Sequence, residues 1–191
     1  MPAVAGARTA DVYVRHAMPV ADPGAAPAAW SLGPAGRAAA AELAQGIGRD
    51  LAVARVVSSP EPKALGTAAP LADRFGIEVE VDDRLAEVGR PWVGEGYRGV
   101  AHRYLEGESP DGWEDRASVT ARVAAAVEAA RTRAGGGTVA VVGHGLALCL
   151  HLAAALPPGF DASGFWARLA FPDAWALDRD ELTLWRPAVS R

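Results

Sequence analysis

Two histidines directly follow apolar, strand-like runs: His16 after Val12-Tyr13-Val14-Arg15, and His144 after Val139-Ala140-Val141-Val142-Gly143. A residue at the end of a buried strand is delivered to the lip of a sheet, where ligands bind in open α/β folds. Arg15 brings a permanent cation to the first of these ends. One histidine so placed reads as a structural or pocket-lining residue. Two at equivalent positions, in a chain with 4 histidines, point to a site. A third apolar run, Val53 to Val57, ends at Ser58-Ser59-Pro60-Glu61-Pro62-Lys63 and opens a helix. Helix N-termini attract anions through their free N–H groups. A lysine in the first turn is unfavourable against the helix dipole. A bound anion would account for Lys63 there; a solvated surface lysine is the plainer alternative. Two imidazoles and two cations around one tetrahedral anion are the parts of a phosphate pocket.

The elements that must position these residues alternate between strand and helix. Val12 to Val14, Val53 to Val57, Ile77 to Val81 and Thr138 to Val142 read as strands, the last almost wholly apolar and so central. Gly33-Pro34 opens a helix that Gly48 should end, with Pro34 at a position where no hydrogen bond is lost. Glu61 to Phe75 reads as a helix that Pro70 should kink or split. Ser118 to Ala134 and Leu146 to Leu156 are two more helices, stopped by Gly135-Gly136-Gly137 and Pro157-Pro158. Ala174 to Leu177 and Leu182 to Trp185 look like an antiparallel edge hairpin. Met18 to Ala29 is a loop that Trp30 should anchor on the body of the domain. Residues 83–113, rich in Gly, Pro and aromatics, read as a cap-like excursion with at most short helices. The pattern predicts a three-layer α/β/α sandwich with a mostly parallel central sheet, an antiparallel edge and a short cap insertion. One domain over residues 10–187 is expected, with residues 1–9 a flexible lead-in.

Composition narrows the function classes. The chain has 191 residues, 50% of them apolar, and a formal net charge of −4. That balance argues against a nucleic-acid surface or a polybasic membrane contact, and an anionic ligand needs a local pocket to attract it. The longest apolar run, Leu146 to Leu156, is too short to span a bilayer, and Met1 to Ala10 has no apolar core of a secretory signal. Cys149 is the 1 cysteine, so an intramolecular disulfide is excluded and a reducing, cytoplasmic setting is expected. It reads as a small core residue. Oligomeric state is not legible.

The motifs, in their order, resemble the histidine phosphatases, the phosphoglycerate-mutase-like superfamily. Arg15-His16-Ala17 is similar to its Arg-His-Gly signature, and Leu32 to Ala38 to the start of its first helix. Ser58 to Ala68 resembles the Ser-Ser-Pro segment that carries a second arginine. Arg84-Leu85-Ala86-Glu87 matches the place of its acidic residue, and Val142-Gly143-His144-Gly145 its second histidine. The likeness extends from about Asp11 to Trp185. Three departures stand out. Ala17 replaces glycine, which is harmless if the backbone needs no positive φ. Met18-Pro19 replaces small hydroxyl or acidic residues. Lys63 replaces arginine, keeping the charge and losing the bidentate fork; one charge-assisted hydrogen bond is worth about 1.5–3 kcal/mol.

The resemblance implies phosphatase chemistry without a cofactor or metal. His16 would take the phosphoryl group, Arg15, Lys63 and His144 would hold its oxygens, and Glu87 would act as acid and then base. Asp83, Glu95 and Glu114 compete with Glu87 for that role. Trp92, Tyr97, His102, Tyr104 and Trp113 are candidates for the mouth, and Arg90, Arg98 and Arg103 for a second anionic group. The implied partner is a small phosphorylated molecule, with a phosphoprotein as an alternative. A phosphomutase and a non-catalytic phosphate-binding module are the rival readings.

Overall fold

A computed structural model describes residues 10–187. The expected lead-in over residues 1–9 lies outside them. Six strands form one sheet: β1 (Ala10–Arg15), β2 (Val53–Ser58), β3 (Val79–Val81), β4 (Thr138–Gly143), β5 (Asp173–Asp178) and β6 (Leu184–Trp185), in the order β3-β2-β4-β1-β5-β6. The first four pair in parallel, and β5 and β6 are antiparallel. The helices are α1 (Pro34–Asp50), α2 (Pro62–Phe75), α3 (Tyr97–Glu106), α4 (Arg116–Ala134), α5 (Gly145–Ala155) and α6 (Ala162–Arg168). The α/β class, the mostly parallel sheet and the antiparallel edge are as the sequence predicts.

Alternation along the strands builds the two layers of core. Val12, Val14, Val56, Ala140 and Val142 face α1 and α2, against Leu43, Ile47, Ala68 and Leu71. Tyr13, Val57, Val139 and Val141 face the other way, against Val123 and Val127 of α4 and Leu146 and Leu152 of α5. Successive side chains point to opposite faces, so one apolar run feeds both cores. β4 is buried at every position, as a central strand must be.

Register then fixes the site. Arg15 is level with Gly143, and Ser58 with Val142. The pairing runs one residue past the strands: His16 N–H bonds the Gly143 carbonyl at 3.0 Å, and Ser59 N–H the Val142 carbonyl at 3.0 Å. His16, Ser59 and His144 therefore leave the sheet side by side. Because β5 is antiparallel, its beginning meets the same lip, with Asp173 opposite Arg15.

Several local expectations need correction. Ile77 is not in β3, because its N–H closes the end of α2 on the Ala72 carbonyl after Gly76 in the left-handed conformation. Gly48 does not end α1, which continues to Asp50. α2 runs unbroken through Pro70; its buried face, with Ala64, Ala68, Leu71 and Ala72, outweighs one lost backbone bond. The excursion carries the ten-residue α3, whose stripe of Tyr97, Ala101 and Tyr104 is masked in sequence by intervening glycine and arginine. α6, capped by the Asp161 side chain on Gly164 N–H, has no counterpart in the sequence reading. Trp30 ties its own loop, through Nε1 to the Asp22 and Ala25 carbonyls, and meets Trp92 of the excursion edge to face.

Candidate active site

The strand ends open into a cavity of about 510 Å³. Arg15, His16, Lys63, Glu87 and His144, the residues expected to hold and transfer a phosphoryl group, line it together with Glu61. Their imidazoles form an edge-to-face pair, with centroids 5.1 Å apart. Met18, Pro19, Trp30, Arg90, Trp92, Tyr97 and Phe171 make the outer wall.

His16 is 6% exposed, and its Nδ1 meets the Ala17 carbonyl at 2.8 Å. A carbonyl only accepts, so Nδ1 carries the hydrogen and Nε2 keeps its lone pair. Burial pushes the ring's pKa down to about 3, assisted by the charges of Lys63 and Arg15 against the Ala17 bond. The imidazole is thus neutral at physiological pH. Ala17 is not at positive φ, and its N–H donates to Thr67 Oγ1 at 2.9 Å, which ties α2 to the end of β1. The departure from glycine therefore carries no backbone strain.

Arg15 donates from Nη1 to the Leu169 carbonyl at 2.9 Å, and its guanidinium lies 3.4 Å over the Phe171 ring. Its buried Nε has no protein hydrogen-bond partner. A Cβ on Gly145 would come within 3.2 Å of that Nε and 2.9 Å of Trp166, so glycine leaves the guanidinium its place.

His144 is fully buried at the N-cap of α5, with Nε2 2.8 Å from Ser59 Oγ and 3.3 Å from Glu61 Oε1. Burial holds its pKa well below the ordinary value, followed by the effect of His16 and the nearby cations. Lys63, 6% exposed in the first turn of α2, is ion-paired with Glu61 and donates to the Pro27 carbonyl at 2.8 Å. The solvated-lysine alternative is excluded by this burial.

Glu87 reaches the N-terminus of α5. Its Oε1 accepts Ala147 N–H at 3.1 Å and Val88 N–H at 3.0 Å, and Oε2 meets Leu146 N–H at 3.5 Å. Burial raises its pKa, against the backbone bonds that lower it. Its rivals are elsewhere: Asp83 and Glu95 are exposed outside the cavity, and Glu114 is ion-paired with Arg122 at 2.7 Å.

The aromatic and cationic candidates divide. Trp92, Tyr97 and Arg90 line the cavity, with the Arg90 guanidinium 4.1 Å over the Tyr97 ring. Tyr104 and Trp113 pack against each other in the core of the excursion, and His102 pairs with Glu106 at 3.2 Å. Arg98 bonds the Ala167 carbonyl at 3.2 Å, and Arg103 pairs with Glu108 at 3.0 Å.

Four contributors lack a role in the sequence reading. Ser59 and Thr67 lie in the Ser-Ser-Pro segment, and Glu61 shows there as a carboxylate between two prolines. Phe171 gives no local signal, since only the antiparallel return of β5 brings it to His16, 5.4 Å between centroids.

The α/β sandwich thus brings two neutral histidines, two cations and two carboxyl groups into one cavity at the ends of its parallel strands. The chain belongs to the histidine phosphatase superfamily (branch 1), whose family model matches residues 14–174. Among curated proteins compared with it, none matches. Solved structures do. Mycobacterial glucosyl-3-phosphoglycerate phosphatase is 23% identical, with a TM-score of 0.74 over 95% of this chain and 99% of that one. That enzyme is also solved with VO3, at 25% identity and a TM-score of 0.69 over 93% of this chain and 96% of that one. Phosphoglycerate mutase from Bacillus anthracis is 17% identical, with a TM-score of 0.65 over 94% of this chain and 92% of that one.

Proposed function

We propose that the protein is a metal-independent phosphatase that hydrolyses a phosphomonoester through a phosphohistidine on His16. The observation that carries the reading is the Nδ1 bond of His16 to the Ala17 carbonyl, which leaves a neutral ring with a free Nε2 lone pair beside two cations. Family membership supports it, as does the VO3 complex of the mycobacterial phosphatase.

In the first step Nε2 attacks phosphorus, and the P–O bond to the leaving group breaks as the N–P bond forms. Glu87 gives its proton to the departing oxygen; Oε2, with the longer backbone contact, is the better oxygen to hold it. Arg15, Lys63 and His144 hold the three non-bridging oxygens, over which charge spreads in the transition state. In the second step Glu87 takes a proton from water, the hydroxide attacks phosphorus and the N–P bond breaks. His16 returns neutral, Glu87 returns protonated and phosphate leaves.

Hydrolysis is favoured over mutase action because the outer wall is wet: Trp92 is 64% and Met18 55% exposed. A mutase has to keep water from its phosphoenzyme. The test is p-nitrophenyl phosphate hydrolysis with EDTA present. His16→Ala is expected to abolish turnover and to remove acid-labile labelling by a phosphodonor. Equal rates for the variant and the parent would remove His16 from the reaction.

A further inference from the structure

Glu61 has no part in that mechanism, yet its carboxylate is buried in the pocket. It occupies the N-cap of α2 and is 9% exposed. Oε2 is ion-paired with Lys63 Nζ. Oε1 lies 3.3 Å from His144 Nε2 and accepts Glu87 N–H at 3.0 Å. A carboxylate needed only to neutralise a buried lysine would engage that lysine. This one spans from Lys63 to His144, two of the groups assigned to the phosphoryl oxygens. It presents to them what a phosphate presents, a fixed pair of anionic oxygens. Counted by formal charge, Glu61 cancels Lys63, with which it is paired, so the Lys63–His144 side offers a second anion little net attraction until Glu61 gives way.

We propose that Glu61 is a resident anion on the Lys63–His144 side of the phosphate site, and that a phosphoryl group binds there by displacing it. The inference rests on reading the pocket as a phosphate site. Glu61 is then a specificity-determining residue. A ligand that carries one weak negative charge does not dislodge it, whereas a phosphomonoester dianion with further contacts to the outer wall does. Lys63 is delivered to the substrate only on displacement.

The test reads anion affinity without turnover. Binding of inorganic phosphate and orthovanadate is measured by titration calorimetry for the parent, Glu61→Gln, Lys63→Met and the double variant, each checked for folding by thermal melting. Glu61→Gln is expected to bind both anions about tenfold tighter. In the Lys63→Met background most of that gain should disappear, because no cation is left to release. Unchanged or weaker binding by Glu61→Gln overturns the proposal, since Glu61 would then be orienting Lys63 for the ligand. A gain of equal size without Lys63 also overturns it, as that is plain repulsion with no competition for the lysine. Absence of anion binding in all four proteins overturns it as well. Glu61→Ala is read in the same way if the glutamine variant does not fold. Failure of the phosphatase reading shows separately, as turnover that does not depend on His16.

Discussion

At the scale of single residues, the two groups proposed to react are set by opposite uses of burial. Burial lowers the pKa of His16 and raises that of Glu87. A buried site disfavours whichever form is charged. The proposed nucleophile is thus kept as free base, and the proposed acid is shifted towards its protonated form, within one cavity. Replacing Glu87 with glutamine removes the proton but not the shape. Hydrolysis of an alkyl phosphate is expected to fall about 10²–10⁴-fold. The loss on p-nitrophenyl phosphate should be smaller in the first step, since that leaving group departs without a proton. Phosphohistidine should then accumulate, visible by acid-quench labelling, because water is no longer deprotonated. A uniform loss on both substrates with no accumulation would assign Glu87 to positioning alone.

At the scale of elements, the segment that carries Glu87 is irregular and is held from outside. Arg122 of α4 donates to the carbonyls of Arg84 and Ala86 at 2.7 Å and of Glu87 at 3.2 Å, while its Nε pairs with Glu114. Glu114 in turn accepts Gly89 N–H at 3.0 Å. One planar fork thus pins both sides of the loop to a rigid helix, a geometry that a lysine cannot reproduce. Arg122→Lys should lower stability by about 1–3 kcal/mol in urea denaturation, the cost of losing charge-assisted bonds to partly buried carbonyls. It should also reduce turnover while leaving vanadate affinity nearly unchanged, because Arg122 acts through Glu87. Equal losses in affinity and turnover would mean that the whole pocket had moved.

At the scale of the whole molecule, the buried neutral histidines make the fold sensitive to acid. His151, bonded to the Tyr13 hydroxyl at 3.0 Å, has its pKa lowered to about 4 by burial and then by Arg131; that of His16 is about 3. Their unfolded values are about 6.5, so below that pH the unfolded chain binds more protons than the native one. Stability is therefore lost as pH falls from about 6.5 towards the native values. Each of these two histidines costs roughly 2 kcal/mol at pH 5. The raised carboxyl of Glu87 works in the opposite sense, holding its proton more tightly in the native state. Chemical denaturation at neutral pH and near pH 5 should show the net loss. His151→Gln, which keeps a polar partner for Tyr13, should narrow it. An unchanged free energy between the two conditions would place charged imidazoles in the native protein.

What the sequence by itself determined was the local part of this arrangement. Short apolar runs placed the strands, and a residue at the end of a buried strand has to emerge at the sheet's lip. Arg15, His16 and His144 were therefore legible, and the first turn of α2 made Lys63 so. Tertiary structure decided that Glu87, of the four carboxylates weighed, lines the cavity, and it decided the arrival of Phe171 beside His16, the clamp from Arg122 and the capture of Lys63 by Glu61. Each of these depends on where a loop or a distant helix runs, and no periodicity of 2 or 3.6 residues records that path. Burial decided the protonation states for the same reason, since a group's desolvation is set by everything packed around it.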